Sequence, residues 1–157
     1  MGFSIFFFIA FLITSLFIVM KKKLSIVDST FIYLLILVIT INVSWIVIEE
    51  LKLIKVTKEA MNYTAFILTR SVITPMILVV QLNLIHKYKM KSRSFWITVA
   101  SIAILLLLRV LSIQFDILTY QNWNLGFDAI YFLILHLVAF YSHQFFQKLS
   151  YREVNEL

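Results

Sequence analysis

Apolar residues gather along this chain in five long runs, at positions 2–20, 31–48, 63–85, 95–115 and 129–146, separated by short polar links. A helix needs about 20 mostly apolar residues to cross a bilayer core of about 30 Å. The pattern therefore predicts an all-α fold, a polytopic membrane helical bundle with five transmembrane helices in a single membrane domain over residues 1–157. The longest polar stretch, about 14 residues between the second and third runs, leaves no room for a soluble domain.

Side chains that accept unpaired N–H groups stand ahead of four runs: Asp28, Ser29 and Thr30 before the second, Asn62 before the third, Ser94 before the fourth and Asp128 before the fifth. The short link around 21–29 predicts that the first two helices form an antiparallel hairpin. No basic segment precedes the first run, and Lys21, Lys22 and Lys23 follow it. A cleaved signal peptide has the opposite order, so the first run is expected to stay as a span. Pro75, the single proline, lies in the third run and is the one candidate for a helix interruption of the kind broken-helix transporters carry in both halves.

The chain is 62% hydrophobic, more than a soluble fold of this size can cover. Its formal charge is +6, from 14 Lys and Arg against 8 Asp and Glu. The excess sits beside the runs, where basic residues set orientation, so nucleic acid is not an expected partner. Lys21, Lys22, Lys23, Lys87, Lys89, Lys91, Arg93, Lys148 and Arg152 fall on one side if all five runs cross, against Lys52, Lys55 and Lys58 on the other. The positive-inside rule then puts the amino terminus outside and the carboxyl terminus in the cytoplasm. Trp45, Tyr63, Tyr120 and Trp123 would mark the outer interface, and Tyr88, Trp96 and Tyr151 the inner one. The segment 117–127, with Tyr120, Trp123 and Phe127 among amides, is expected to lie in that interface. The abundance of Ile, Phe, Lys and Asn fits a bacterial plasma-membrane protein.

Polar residues inside the runs supply the candidate site. At about 100° per residue, Arg70, Thr74 and Gln81 share one face of the third helix. Ser94, Thr98, Ser101, Arg109 and Ser112 cluster on the fourth, His136, His143 and Gln147 on the fifth, and Asn42 and Glu49 on the second. Thr40 and Ser44 point to the opposite side of the second helix from Asn42 and Glu49. By rise, Arg70, Arg109 and His136 each lie about 9–10 Å below the outer surface. The expected ligand-binding layer is thus Arg70, Arg109, His136, Glu49, Asn42, Thr74 and Gln81. Two guanidinium forks suit a phosphate or carboxylate. The structural alternative is that Glu49 pairs with Arg70 or Arg109 and fixes helix packing.

Other chemistry finds little support. With no cysteine there is no thiolate site. His86 is estimated about 13 Å deeper than His143, which makes a two-histidine cofactor site awkward. Neither cofactor nor metal is expected. Ser101 and Ser112 lack a glycine-flanked nucleophile motif. Asn62-Tyr63-Thr64 matches a glycosylation sequon at the interface. The leading expectation is a non-enzymatic accessory, regulatory or immunity-type protein that packs its helices against a membrane partner. A small carrier or anionic-lipid binder using the polar layer is the alternative. A membrane enzyme acting on a lipid head group ranks below both.

Overall fold

The computed structural model describes the backbone of residues 2–87 and 91–155 and the side chains of residues 2–87 and 92–148. Tyr88 and Lys89, and the side chains of Lys91, Tyr151 and Arg152, which entered the sequence argument, lie outside the described residues. Five helices are long and apolar enough to cross a membrane. They are the first helix, Gly2–Val19, the second, Ile26–Glu50, the third, Ala60–Lys87, the fourth, Lys91–Gln114, and the fifth, Leu125–Asn155.

The third helix is the centre. In its most apolar window 61% of residues are buried, against 17–28% in the others. The second, third, fourth and fifth helices close a four-membered ring of contacts, and the first packs on the outside of the third. The expected hairpin of the first two helices is corrected here, because both pack chiefly on the third instead of on each other. The link between them is anchored to the third helix as well. Asn83, fully buried, accepts the N–H groups of Lys23 (3.0 Å) and Leu24 (3.1 Å) on Oδ1.

Helix starts were expected too late along the chain. Ser25 caps the second helix and forms a capping box with Asp28 at the third position. The fifth begins at Leu125, where Asn124 Oδ1 accepts the Phe127 N–H at 3.0 Å. Asn62 and Ser94 lie inside their helices. Asn62 also donates to Glu59 Oε2 at 2.9 Å and to Phe115 O at 3.4 Å. The hydropathy pattern marks where the apolar core starts, whereas the cap sits a turn earlier.

Pro75 shapes the third helix. It has no N–H, so Ser71 O, four residues back, loses its ordinary donor. The turn at Thr69–Ile73 widens to π-helical spacing, and the Thr74 N–H bonds Thr69 O, which leaves Arg70 O without its usual donor too. The second helix supplies replacements. The Tyr33 hydroxyl donates to Ser71 O at 2.8 Å, and Thr40 Oγ1 reaches Arg70 O at 3.3 Å.

A feature outside the expected all-helical pattern covers one end of the bundle. Strands β1 (Ile54–Val56) and β2 (Leu118–Tyr120) pair antiparallel, with Lys55 opposite Thr119. The second and fourth helices feed this ribbon. Each breaks on a residue in the left-handed region, Lys52 at φ 51° and Asp116 at φ 53°. Ile54, Ile117 and Leu118 are buried beneath it. The first helix starts hard against this end, since a Cβ at Gly2 would lie 3.1 Å from Asn62 Oδ1 and 3.1 Å from Phe115 Cβ.

If Pro75 creates the need that Tyr33 meets, Tyr33→Phe destabilises the protein by about 1 kcal/mol, a typical net value for one hydrogen bond. In a Pro75→Ala background the loss shrinks, because the alanine restores an N–H donor for Ser71 O. A double-mutant cycle read by thermal unfolding in detergent measures this coupling, and additive losses would show that the two features are independent.

Candidate functional site

Beneath the ribbon, a cavity of about 30 Å³ opens between the second, third, fourth and fifth helices, with Thr40, Ser44, Arg70, Thr74, Arg109 and Ser112 among its lining residues. It has room for one or two water-sized atoms, such as the two oxygens that a carboxylate or phosphate presents to a guanidinium. A second cavity of about 30 Å³ lies towards the ribbon between Val47, Ile48, Trp123 and Asp128, and shares Ser44, Phe66, Arg109 and Tyr131 with the first. Together they trace a fissure between the second and fifth helices that leads from the ribbon end to Arg70.

The two arginines sit in different electrostatic states. Arg109 has a counter-charge: its Nε lies 3.2 Å from Asp128 Oδ2. The Nε–H is not aimed for a hydrogen bond, so attraction of charge carries this contact. Asp128 is 1% exposed and keeps two further donors, the Tyr120 hydroxyl on Oδ2 and Trp123 Nε1 on Oδ1 at 3.1 Å. Burial, and then the Asp128 carboxylate, push the Tyr120 hydroxyl pKa up, so Tyr120 stays a donor. One buried carboxylate thus ties the ribbon strand, the loop after it and the fourth helix to the first turn of the fifth.

Arg70 has no such partner. Among the described residues no carboxylate lies within 4 Å of it, and its Nε is buried without an acceptor. Its guanidinium rests 5.2 Å from the Phe66 ring centre, within cation–π range. The neighbouring hydroxyls are committed to the backbone. Thr69 donates to Ala65 O (2.8 Å), Thr74 to Thr69 O (2.9 Å) and Ser112 to Leu108 O (2.9 Å). Counting Arg70, Arg109 and Asp128, the site carries a net charge of +1 (two cations less one anion).

Of the seven residues expected in this layer, the structure brings Arg70, Arg109 and Thr74 to one cavity. Glu49 and Asn42 are exposed, and Asn42 bonds back to Val38 O at 2.7 Å. Glu49 pairs with neither arginine; that expectation is corrected, and Asp128 holds the role. On the second helix the face towards the cavity is the one with Thr40 and Ser44. The residues around both stripes are almost all apolar, so the sequence does not tell which of two small polar stripes turns inward. Small hydroxyls fit a packed interior, whereas Glu49 keeps its charge outside.

His136 and Gln81 belong to another layer. His136 Nε2 contacts Ser101 Oγ at 2.8 Å and Nδ1 contacts Phe132 O at 2.7 Å, so Nδ1 carries the proton and Nε2 accepts from the hydroxyl. It lies eight residues beyond Asp128, about 12 Å further along the helix, and so does not share the arginine level. Gln81 Nε2 donates to Thr98 Oγ1 at 2.9 Å. The expected separation of His86 and His143 is also overturned. Their ring centres are 4.6 Å apart, edge to face, at the opposite end of the bundle. Among the described residues no group of three or more His, Asp or Glu side chains could hold a metal.

Sequence reasoning missed Tyr120, Trp123 and Asp128 as partners. The signal was the spacing of two aromatic donors eight and five residues ahead of a carboxylate at the edge of an apolar run. No family model, curated protein or solved structure matches the chain.

Removing the Asp128 charge isolates a buried guanidinium, so Asp128→Asn costs about 3–5 kcal/mol of stability. Adding Arg109→Gln recovers part of that loss, and Glu49→Gln changes stability by less than about 0.5 kcal/mol. Thermal unfolding of these variants checks this, and a loss at Glu49 as large as at Asp128 would contradict the assignment.

Proposed function

We propose that this is a small, non-enzymatic, multi-pass plasma-membrane protein of bacterial type, whose outer half receives one anionic group of phosphate or carboxylate type at Arg70. The observation that carries the reading is the charge of Arg70, inside the bundle without a carboxylate, beside an arginine that has one. A charge near the centre of a bilayer costs about 2.5–3.5 kcal/mol on insertion scales, so a counter-charge from outside the chain has a clear energetic role. The fissure between the second and fifth helices is the route for it. Arg109 has its charge balanced by Asp128 and so adds little net positive potential.

The membrane setting is supported by the broad apolar outer surface, such as Phe7, Phe8 and Phe11 on the first helix and Phe95, Trp96 and Leu107 on the fourth. An accessory or regulatory role through helix packing with a membrane partner draws on the same faces and on the short links. Lipid covers such faces equally well, so Arg70 decides between the two readings. Catalysis on a lipid head group draws little from the site: no histidine lines either cavity, Ser112 donates to backbone, and Asp128 is held by Arg109, Tyr120 and Trp123.

Inorganic phosphate, added at constant ionic strength against a chloride control, is expected to raise the melting temperature of the detergent-solubilised protein. Arg70→Gln should abolish that rise and leave the baseline melting temperature within a few degrees. Arg70→Lys should keep part of it, since an ammonium lacks the planar fork. A baseline collapse in Arg70→Gln, or an undiminished phosphate effect, would replace the binding role with a packing one.

The orientation follows from nine basic residues against three. A reporter active only outside the cytoplasm should be silent when fused after Leu157 and active when inserted near Trp123. The reverse pattern would invert the protein and place Arg70 in the inner half.

A further inference from the structure

At the ribbon end an open cavity of about 700 Å³ lies between the end of the second helix, strand β1 with the link after it, and the start of the third helix. That volume is typical of small-ligand pockets, whereas the cavity at Arg70 measures about 30 Å³. Lys52, Lys55 and Lys58 all line it, with Glu49 as its one carboxylate, so its lining carries a net charge of +2 (three cations less one anion). These are all the Lys and Arg residues of the two links at this end. The lysines are exposed, and among the described residues no carboxylate lies within 4 Å of any of them. The backbone brings them together: the second helix breaks at Lys52 (φ 51°) and the chain turns into β1, so positions 52, 55 and 58 border one space. The cavity adjoins the fissure. It shares Ile48 and Ile54 with the second small cavity, which shares Ser44 and Arg109 with the one at Arg70.

We infer that this vestibule is a second anion site, which captures a phosphate- or carboxylate-type group at the mouth of the route to Arg70. A concave wall with several cations and no paired anion raises the local concentration of anions and speeds their association. Lysines suit that task, because ammonium groups on flexible stems hold an oxyanion as mobile point charges. The planar fork of Arg70 suits the fixed seat inside. The entrance role rests on Arg70 as the destination, whereas anion binding by the three lysines does not.

The test is an NMR titration of protein carrying ¹³C-dimethylated lysines and ¹⁵N-labelled arginines in phosphatidylcholine nanodiscs. Inorganic phosphate is the probe, at constant pH and ionic strength, with chloride as the control. The Lys52, Lys55 and Lys58 methyl signals should shift saturably, whereas that of Lys21, exposed at the opposite end, should not. In Arg70→Gln the three lysine shifts should persist. In the triple variant Lys52→Gln, Lys55→Gln, Lys58→Gln, half-saturation of the Arg70 Nε signal should need about tenfold more phosphate, the low end of electrostatic focusing. It should also depend less on added salt, with the melting temperature within a few degrees of wild type. Replacing phosphatidylcholine by phosphatidylglycerol separates two sources of the anion. Lysine shifts in that lipid alone assign the site to a lipid phosphate, and shifts that require inorganic phosphate assign it to a soluble anion. Lysine signals moved by neither, or moved no more than Lys21, would overturn the inference. An unchanged half-saturation at Arg70 in the triple variant would overturn the entrance role. Responsive lysines beside a silent Arg70 would sink the Arg70 reading and leave the vestibule site standing.

Discussion

Everything at the ribbon end depends on one buried carboxylate. Asp128 is placed in the first turn of the fifth helix, where the unpaired N–H groups of a helix start favour negative charge. There it meets Arg109 from the fourth helix, Tyr120 from the second strand and Trp123 from the loop that follows that strand. Two strands of three residues each are too short to hold together alone, so the ribbon relies on this anchor together with the buried Ile54, Ile117 and Leu118. The neutralised Arg109 in turn leaves Arg70 as the uncompensated charge of the layer. The candidate site thus follows from a difference: two arginines from neighbouring helices, one carboxylate, and the carboxylate committed to one of them.

A second constraint comes from the backbone of the third helix. Pro75 removes one N–H, and the widened turn above it carries Arg70 at its start. The freed carbonyls are met by Tyr33 and Thr40, which bind the second helix closely to the third at the cavity floor. The most buried helix therefore carries a π-helical turn, as the second helix does at Ile46–Glu50, and the guanidinium is mounted on it. In an apolar environment such irregularity persists only where neighbours restore the lost bonds.

The architecture was legible from hydropathy because five runs of this length admit few other readings. Arg70, Thr74 and Arg109 could be found because helical periodicity and rise place them on compatible faces and depths. Their counter-ion could not be found that way. Asp128 reads as a cap from sequence, and only the earlier helix start at Leu125 carries it into the interior. Glu49 looked like the better partner by face, yet nothing in a uniformly apolar second helix states which stripe turns inward. The ribbon rests on two strands of three residues separated by more than sixty positions, a pairing that no local pattern encodes. The closeness of His86 and His143 escaped a depth estimate that assumed straight helices starting at the apolar runs, whereas the real helices start earlier and the third is irregular.

The central claim is that Arg70 awaits an anion while Arg109 is already satisfied. Side-chain ¹⁵N resonances of the two arginines, followed as inorganic phosphate is added to the reconstituted protein, test it most directly. The account predicts that the Arg70 Nε signal shifts saturably, while the Arg109 signal stays near its starting position until Asp128 is neutralised by mutation. Two arginine signals that move together, or an Arg70 signal that phosphate does not move, would contradict it.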